Sequence, residues 1–118
     1  MSKHQPRDWY IRYKLFDSCG RDFRGKANYS YHKSAGWCQK PCVVLYSYGT
    51  PVAILTPPQL PGSEPRVRDY NFNGPVVPPS QTTAKHVRAF EYQADKLCRR
   101  LEQLVKEYSG RDLRKRLA

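Results

Sequence analysis

The clearest periodicity lies in the C-terminal third of the chain. Apolar residues fall at Val87, Phe90, Ala94, Leu97, Leu101, Leu104 and Tyr108, with spacings of 3, 4, 3, 4, 3 and 4. That is the rhythm of one helical face. Thr82 or Thr83 supplies an N-cap, and Ser109 with Gly110 supplies a stop, so the pattern predicts one long helix over about 83–108. Cys98 and Val105 widen the stripe beyond a narrow coiled-coil seam, which favours packing on a sheet. A helix over residues 83–109 spans ~40 Å at ~1.5 Å per residue, about twice the length of a six-residue strand. Its far part would overhang the sheet and offer its stripe to a partner, including a second copy of the chain.

Upstream the period changes to two. Residues 43–47 and 50–55 are β-branched, apolar and aromatic runs separated by Tyr48 and Gly49, which predicts a β-hairpin. Pro51 then has to sit at a strand start or edge. Residues 28–32 alternate polar and aromatic, and Arg66, Arg68, Tyr70 and Phe72 share one parity, so each segment reads as a further strand. Residues 9–16 fit two patterns. Trp9, Ile11, Tyr13 and Leu15 make a strand face, whereas Trp9, Tyr13 and Phe16 make a helix face with Asp8 as cap. Eight of the ten prolines fall between Pro51 and Pro79, which excludes long helix there and makes 56–69 a proline-rich loop. Within it, Pro57 to Pro61 also has the form of a P-x-x-P ligand. The expected fold class is α+β: a small antiparallel sheet, the hairpin plus one or two strands, packed against the long C-terminal helix.

Length and charge sharpen this picture. With 118 residues, one domain is expected. The chain carries 21 Lys+Arg against 10 Asp+Glu, a formal net charge of +11. The excess sits at both ends, around a neutral middle third, and closes in a basic tail at 110–118. Such a balance suits a polyanion: DNA, RNA or a ribonucleoprotein surface. The cationic candidates are Arg12, Lys14, Arg21, Arg24 and Lys26 on the N-terminal side, and Arg99, Arg100, Arg111, Arg114, Lys115 and Arg116 on the C-terminal side. Ten of the fifteen aromatic residues precede residue 49, interleaved with the first group. Rings of this kind either form the core or stack on bases and partner surfaces. A membrane partner is not expected. No apolar run reaches spanning length, the first ten residues lack the apolar stretch of a secretory leader, and Glu91, Asp95, Glu102 and Glu107 interrupt the basic face of the helix. A cytoplasmic location follows as an expectation.

Candidate chemistry is sparse. Cys38 and Cys42 form a C-x3-C pair, and with Cys19 and His32 they would complete a tetrahedral zinc site, His86 or Cys98 being alternative ligands. The bland alternative is four unrelated cysteines serving as small apolar residues. No phosphate-cradling glycine loop and no deaminase signature occurs. Carboxylates are too few and too helical for a metal-dependent nuclease. Cys19 with His32, or Cys42 with His86, can be drawn as a nucleophile and base, but no local pattern supports either. A non-enzymatic protein is expected.

Three segments carry a resemblance. Phe23–Gly25, residues 44–54 and residues 80–90 resemble, in order, the F-x-G, Y-S-Y-x-T-x-[IV]-A and S-x-T-T-x-[KR]-H motifs of a family of small uncharacterised domains carried by phages and plasmids. The resemblance covers about residues 23–90, and the proline-rich insert, the cysteines and the basic tail depart from it. It implies a hairpin sheet against a helix, and a mobile-element setting in the cytoplasm of a bacterial host. In that setting small basic proteins act as inhibitors of host defence, including anti-CRISPR proteins, or as DNA- or RNA-binding accessories. The expectation is therefore a basic inhibitor docking on a host defence nuclease complex, with direct nucleic-acid binding as the alternative.

Overall fold

The computed structural model describes residues 9–58, 60 and 62–117, with side chains described as far as Tyr108. Five strands follow one another as an antiparallel meander in the order β1-β2-β3-β4-β5. They are β1 (Tyr13–Lys14), β2 (Ala27–His32), β3 (Cys42–Ser47), β4 (Thr50–Thr56) and β5 (Arg66–Asp69). Two helices, α1 (Gln81–Tyr92) and α2 (Ala94–Leu117), complete the α+β fold. The hairpin stands where the sequence placed it. Its two-residue turn has φ of 54° at Tyr48 and 79° at Gly49, the double left-handed geometry that matches strand twist. Pro51 lies opposite Tyr46 at a register shift, where a missing amide is tolerated.

The central strand β3 is buried along its whole length, because both faces of the sheet are covered. Val43, Leu45, Ala53 and Leu55 point to the helices and meet Val87, Phe90, Leu97, Leu101 and Leu104 in the main core. Each of these large side chains contributes on the order of 1.5–3 kcal/mol by leaving water. Val44, Tyr46 and Ile54 point the other way and form a second, smaller cluster with Cys38 and Cys42, covered by Trp37 and Tyr70. Residues 33–41 fold over that face through a tight turn bridged between Ala35 and Cys38. Gly36 permits the turn. Its φ is +53°, and a Cβ there would lie 2.6 Å from the Tyr70 carbonyl oxygen.

Residues 9–16 take the strand alternative in part. Trp9 bridges to Tyr31, and Tyr13 and Lys14 pair with β2, while Leu15 is fully buried. Ile11, expected on the same face, is exposed.

The single helix expected over 83–108 is corrected at three places. It begins two residues earlier, with Ser80 as the N-cap accepting from the Thr83 amide. It breaks at Gln93, whose backbone (φ −99°, ψ 9°) ends α1 before Ala94 opens α2. And it passes through Ser109 and Gly110 to Leu117. Glycine ends a helix when the chain turns left-handed there; inside a helix it costs only about 1 kcal/mol, and the residues that follow are good helix formers. The proline-rich connection is also shorter than 56–69, since β4 runs to Thr56 and β5 opens at Arg66.

Candidate nucleic-acid interface

The register fixes which cations share a face. β2 pairs Asn28 with Tyr46 and His32 with Cys42, and β5 pairs Arg68 with Ile54 and Arg66 with Thr56. These residues lie on the side away from the helices, as does Lys14 opposite Asn28. Toward β1, the Arg12 guanidinium sits 4.0 Å from the centre of the Tyr46 ring. Beside it, Tyr10 meets His32 edge-on at 5.2 Å. Ser30 Oγ and Tyr46 Oη both lie within hydrogen-bond reach of His32 Nε2, at 2.6 and 3.1 Å. Burial first, and the Arg12 charge second, hold His32 below its ordinary pKa, so this imidazole is a neutral hydrogen-bonding group at pH 7.

Toward β5 the same side opens into a groove of about 530 Å³ between residues 37–41, the end of β4 and β5. Trp37, Lys40, Arg66, Arg68 and Asn73 line it, with Glu64 as the acid on its wall. Trp37 is fixed by donating Nε1–H to the Asp69 carbonyl at 2.7 Å. Arg68 lies over its ring at 5.7 Å and donates to the Asn73 side chain. Guanidinium groups and rings thus alternate across this side: Arg12 covers the buried Tyr46 ring and Arg68 the half-buried Trp37, which leaves cations at the surface for phosphates to meet. Charge on this side is weakly neutralised: among pairs of described residues one ion pair closes, Lys14 to Asp22 at 3.7 Å.

The sequence candidates distribute unevenly over this geometry. Arg12 and Lys14 belong to the face just described. Arg21, Arg24 and Lys26 are exposed on the turn that leads into β2. Arg99 is exposed on α2, and Arg100 bonds Gln103 on the same helix. Arg111, Arg114, Lys115 and Arg116 fall in α2, and their side chains lie outside the described residues. Sequence reasoning missed Trp37, Lys40, Arg66 and Arg68 as one site. The shared parity of Arg66 and Arg68 was the available signal; the loop that brings Trp37 and Lys40 beside them had none.

The three motif segments meet at the other end of the sheet. Ser47 Oγ lies 2.8 Å from His86 Nδ1 and 3.1 Å from Thr83 Oγ1. Phe23 packs edge-on against the His86 ring at 4.8 Å, and Tyr48 covers it at 5.7 Å. Phe23 and Arg24 hold left-handed backbone, with φ of 53° and 55°. His86 is 1% exposed and Ser47 4%, and burial lowers the histidine pKa. The group pins the hairpin turn to the first turn of α1.

Of the proposed zinc ligands, the structure brings Cys38 and Cys42 into one small cluster and sets His32 opposite Cys42 in the register. Cys19 is exposed in the turn after β1. Among the described residues no three His, Cys, Asp or Glu side chains converge as metal ligands would. Comparisons with family models, with curated proteins and with solved structures found no match for this chain.

Proposed function

We propose that this chain is a non-enzymatic binding protein that contacts nucleic acid through the helix-free face of its sheet. The observation that carries the reading is the alternation of Arg12, Arg66 and Arg68 with Tyr46 and Trp37 on the helix-free side, where the cations and the half-buried Trp37 reach the surface over a buried Tyr46. The two hydroxyl–imidazole pairs, Ser47 with His86 and Ser30 with His32, do not favour catalysis. Both serines are buried and serve as hydrogen-bond partners inside the fold. Fluorescence anisotropy with labelled oligonucleotides tests the reading. If about six phosphates are engaged, affinity falls roughly 10³-fold between about 50 and 200 mM salt. Absence of binding at the lower salt overturns it.

A second reading rests on the meeting of the three motif segments around His86. It supports the resemblance to mobile-element domains, because segments far apart in sequence build one structural unit. In that setting the basic face belongs to an inhibitor that docks on a host defence nuclease complex and competes with its guide or target contacts, as anti-CRISPR proteins do. A cleavage assay with a CRISPR effector from the host decides it: cleavage unchanged at excess protein removes this role and leaves direct nucleic-acid binding untouched.

A further inference from the structure

We propose that Cys38 and Cys42 are a reversible dithiol–disulfide pair, with low-molecular-weight disulfides such as oxidised glutathione as the oxidant class. Four observations place the pair. The two side chains are close enough for Cys38 to add to the raised pKa of Cys42. Both belong to the small cluster on the helix-free face. Cys38 is the one that lines the open groove, while Cys42 lies behind it with no exposure. Finally, no group of three metal-ligating side chains forms around them among the described residues.

The asymmetry assigns the roles. Cys38, 5% exposed, stands on the wall of the groove that Lys40, Arg66 and Arg68 also line, so an incoming disulfide reaches it before Cys42. Its thiolate attacks one sulfur of the oxidant, forming a mixed disulfide and expelling one thiol of glutathione. Cys42, losing its proton to solvent, then attacks the Cys38 sulfur, closes the Cys38–Cys42 bond and expels the second thiol. The balance is two protein thiols plus one oxidised glutathione giving one protein disulfide plus two reduced glutathiones. Burial, with Cys38 adding to it, pushes the Cys42 thiol up to about 12. Closure is therefore the slow step and accelerates as pH rises. The same burial keeps Cys42 from external oxidants, so the pair closes on itself in preference to oxidising further. Closure also withdraws the Cys38 Sγ–H from the Lys40 carbonyl, which it now meets at 3.5 Å, and so alters the groove wall at Lys40.

The experiment uses the full chain equilibrated with graded mixtures of reduced and oxidised glutathione, quenched with acid and alkylated. Trypsin does not cut between Lys40 and Pro41, so both cysteines stay in one peptide. The expected product is that peptide two hydrogens lighter and unalkylated, while the buried Cys98 remains alkylated and the exposed Cys19 carries at most a glutathione adduct. Reduction with dithiothreitol restores the alkylated form. The double variant Cys19→Ser, Cys98→Ser retains the reaction, and Cys38→Ser loses it. Four alkylated thiols at every ratio, or a glutathione adduct on Cys38 that never closes, overturns the proposal. Both outcomes are read from wild-type protein, so the result does not depend on whether a variant folds, nor on whether the groove binds nucleic acid.

Discussion

His86 joins three parts of the chain through one ring. Truncating it to alanine would open a cavity under Phe23 and Tyr48 and take one of its two partners from the buried Ser47 hydroxyl, which keeps Thr83. The expected loss is about 2–3 kcal/mol, measured by denaturant unfolding. The same residue gives the stability a pH dependence with a defined sign. Burial holds the folded-state pKa of His86 below 6.5, so the unfolded chain binds the proton more readily. Stability is complete above pH ~6.5 and declines as pH falls through that value toward the folded-state pKa. His32 acts in the same direction, through burial and then Arg12. Thermal melts between pH 8 and 5 should therefore lose midpoint on the acid side, and His86→Phe should remove part of that slope while His32 keeps the rest. Gly36 makes a separate point at this scale. Its left-handed φ and the nearby Tyr70 carbonyl leave no room for a side chain, so Gly36→Ala should cost roughly 1–2 kcal/mol or more from the backbone conformation alone.

At the level of elements, the joint between α1 and α2 separates what the sequence spelled out from what it did not. The apolar spacing of 3 and 4 runs unbroken from Val87 through Phe90 and Ala94 to Leu104, and these residues do face one core. The face was legible because burial alone decides it. The break was not, since Gln93 is a good helix former and its cause is tertiary. The Gln93 side-chain amide donates to the Phe16 carbonyl, in the segment that follows β1. Gln93→Leu should thus cost about 1 kcal/mol and let the two helices straighten into one, a change that amide exchange protection at residues 92–97 would reveal. The hairpin was legible for a different reason: Tyr48 and Gly49 sit between two β-branched runs, and local chemistry sets that turn. The zinc set was drawn from spacing alone. Cys38 and Cys42 share a cluster because three residues separate them, and His32 faces Cys42 through the strand register, but spacing carried no information on where Cys19 lies relative to them.

On the scale of the whole molecule, what matters is where the net charge of +11 can act. Two distributions are compatible with that number. If all exposed cations contribute equally, binding is a property of composition, and any substitution weakens it alike. If the helix-free side is the contact, the effect is local. Lys40 and Arg66 are exposed on the groove wall, and Arg99 is exposed on α2, whose buried side packs against the opposite face of the sheet. Replacing Lys40 and Arg66 with alanine removes two cations and leaves the core untouched, so the melting midpoint should hold. On single strands each lost phosphate contact lowers the slope of log affinity against log salt by about 0.7, so the pair should lower it by about 1.4. Arg99→Ala should leave the slope where it was. Trp37→Ala should act differently again: affinity should fall by about 1–3 kcal/mol per unstacked base with little change in slope, since a ring contributes stacking rather than charge. An Arg99 variant that matches the groove variants would assign binding to the composition of the chain, and the alternation of rings and guanidinium groups across the sheet would then be packing alone.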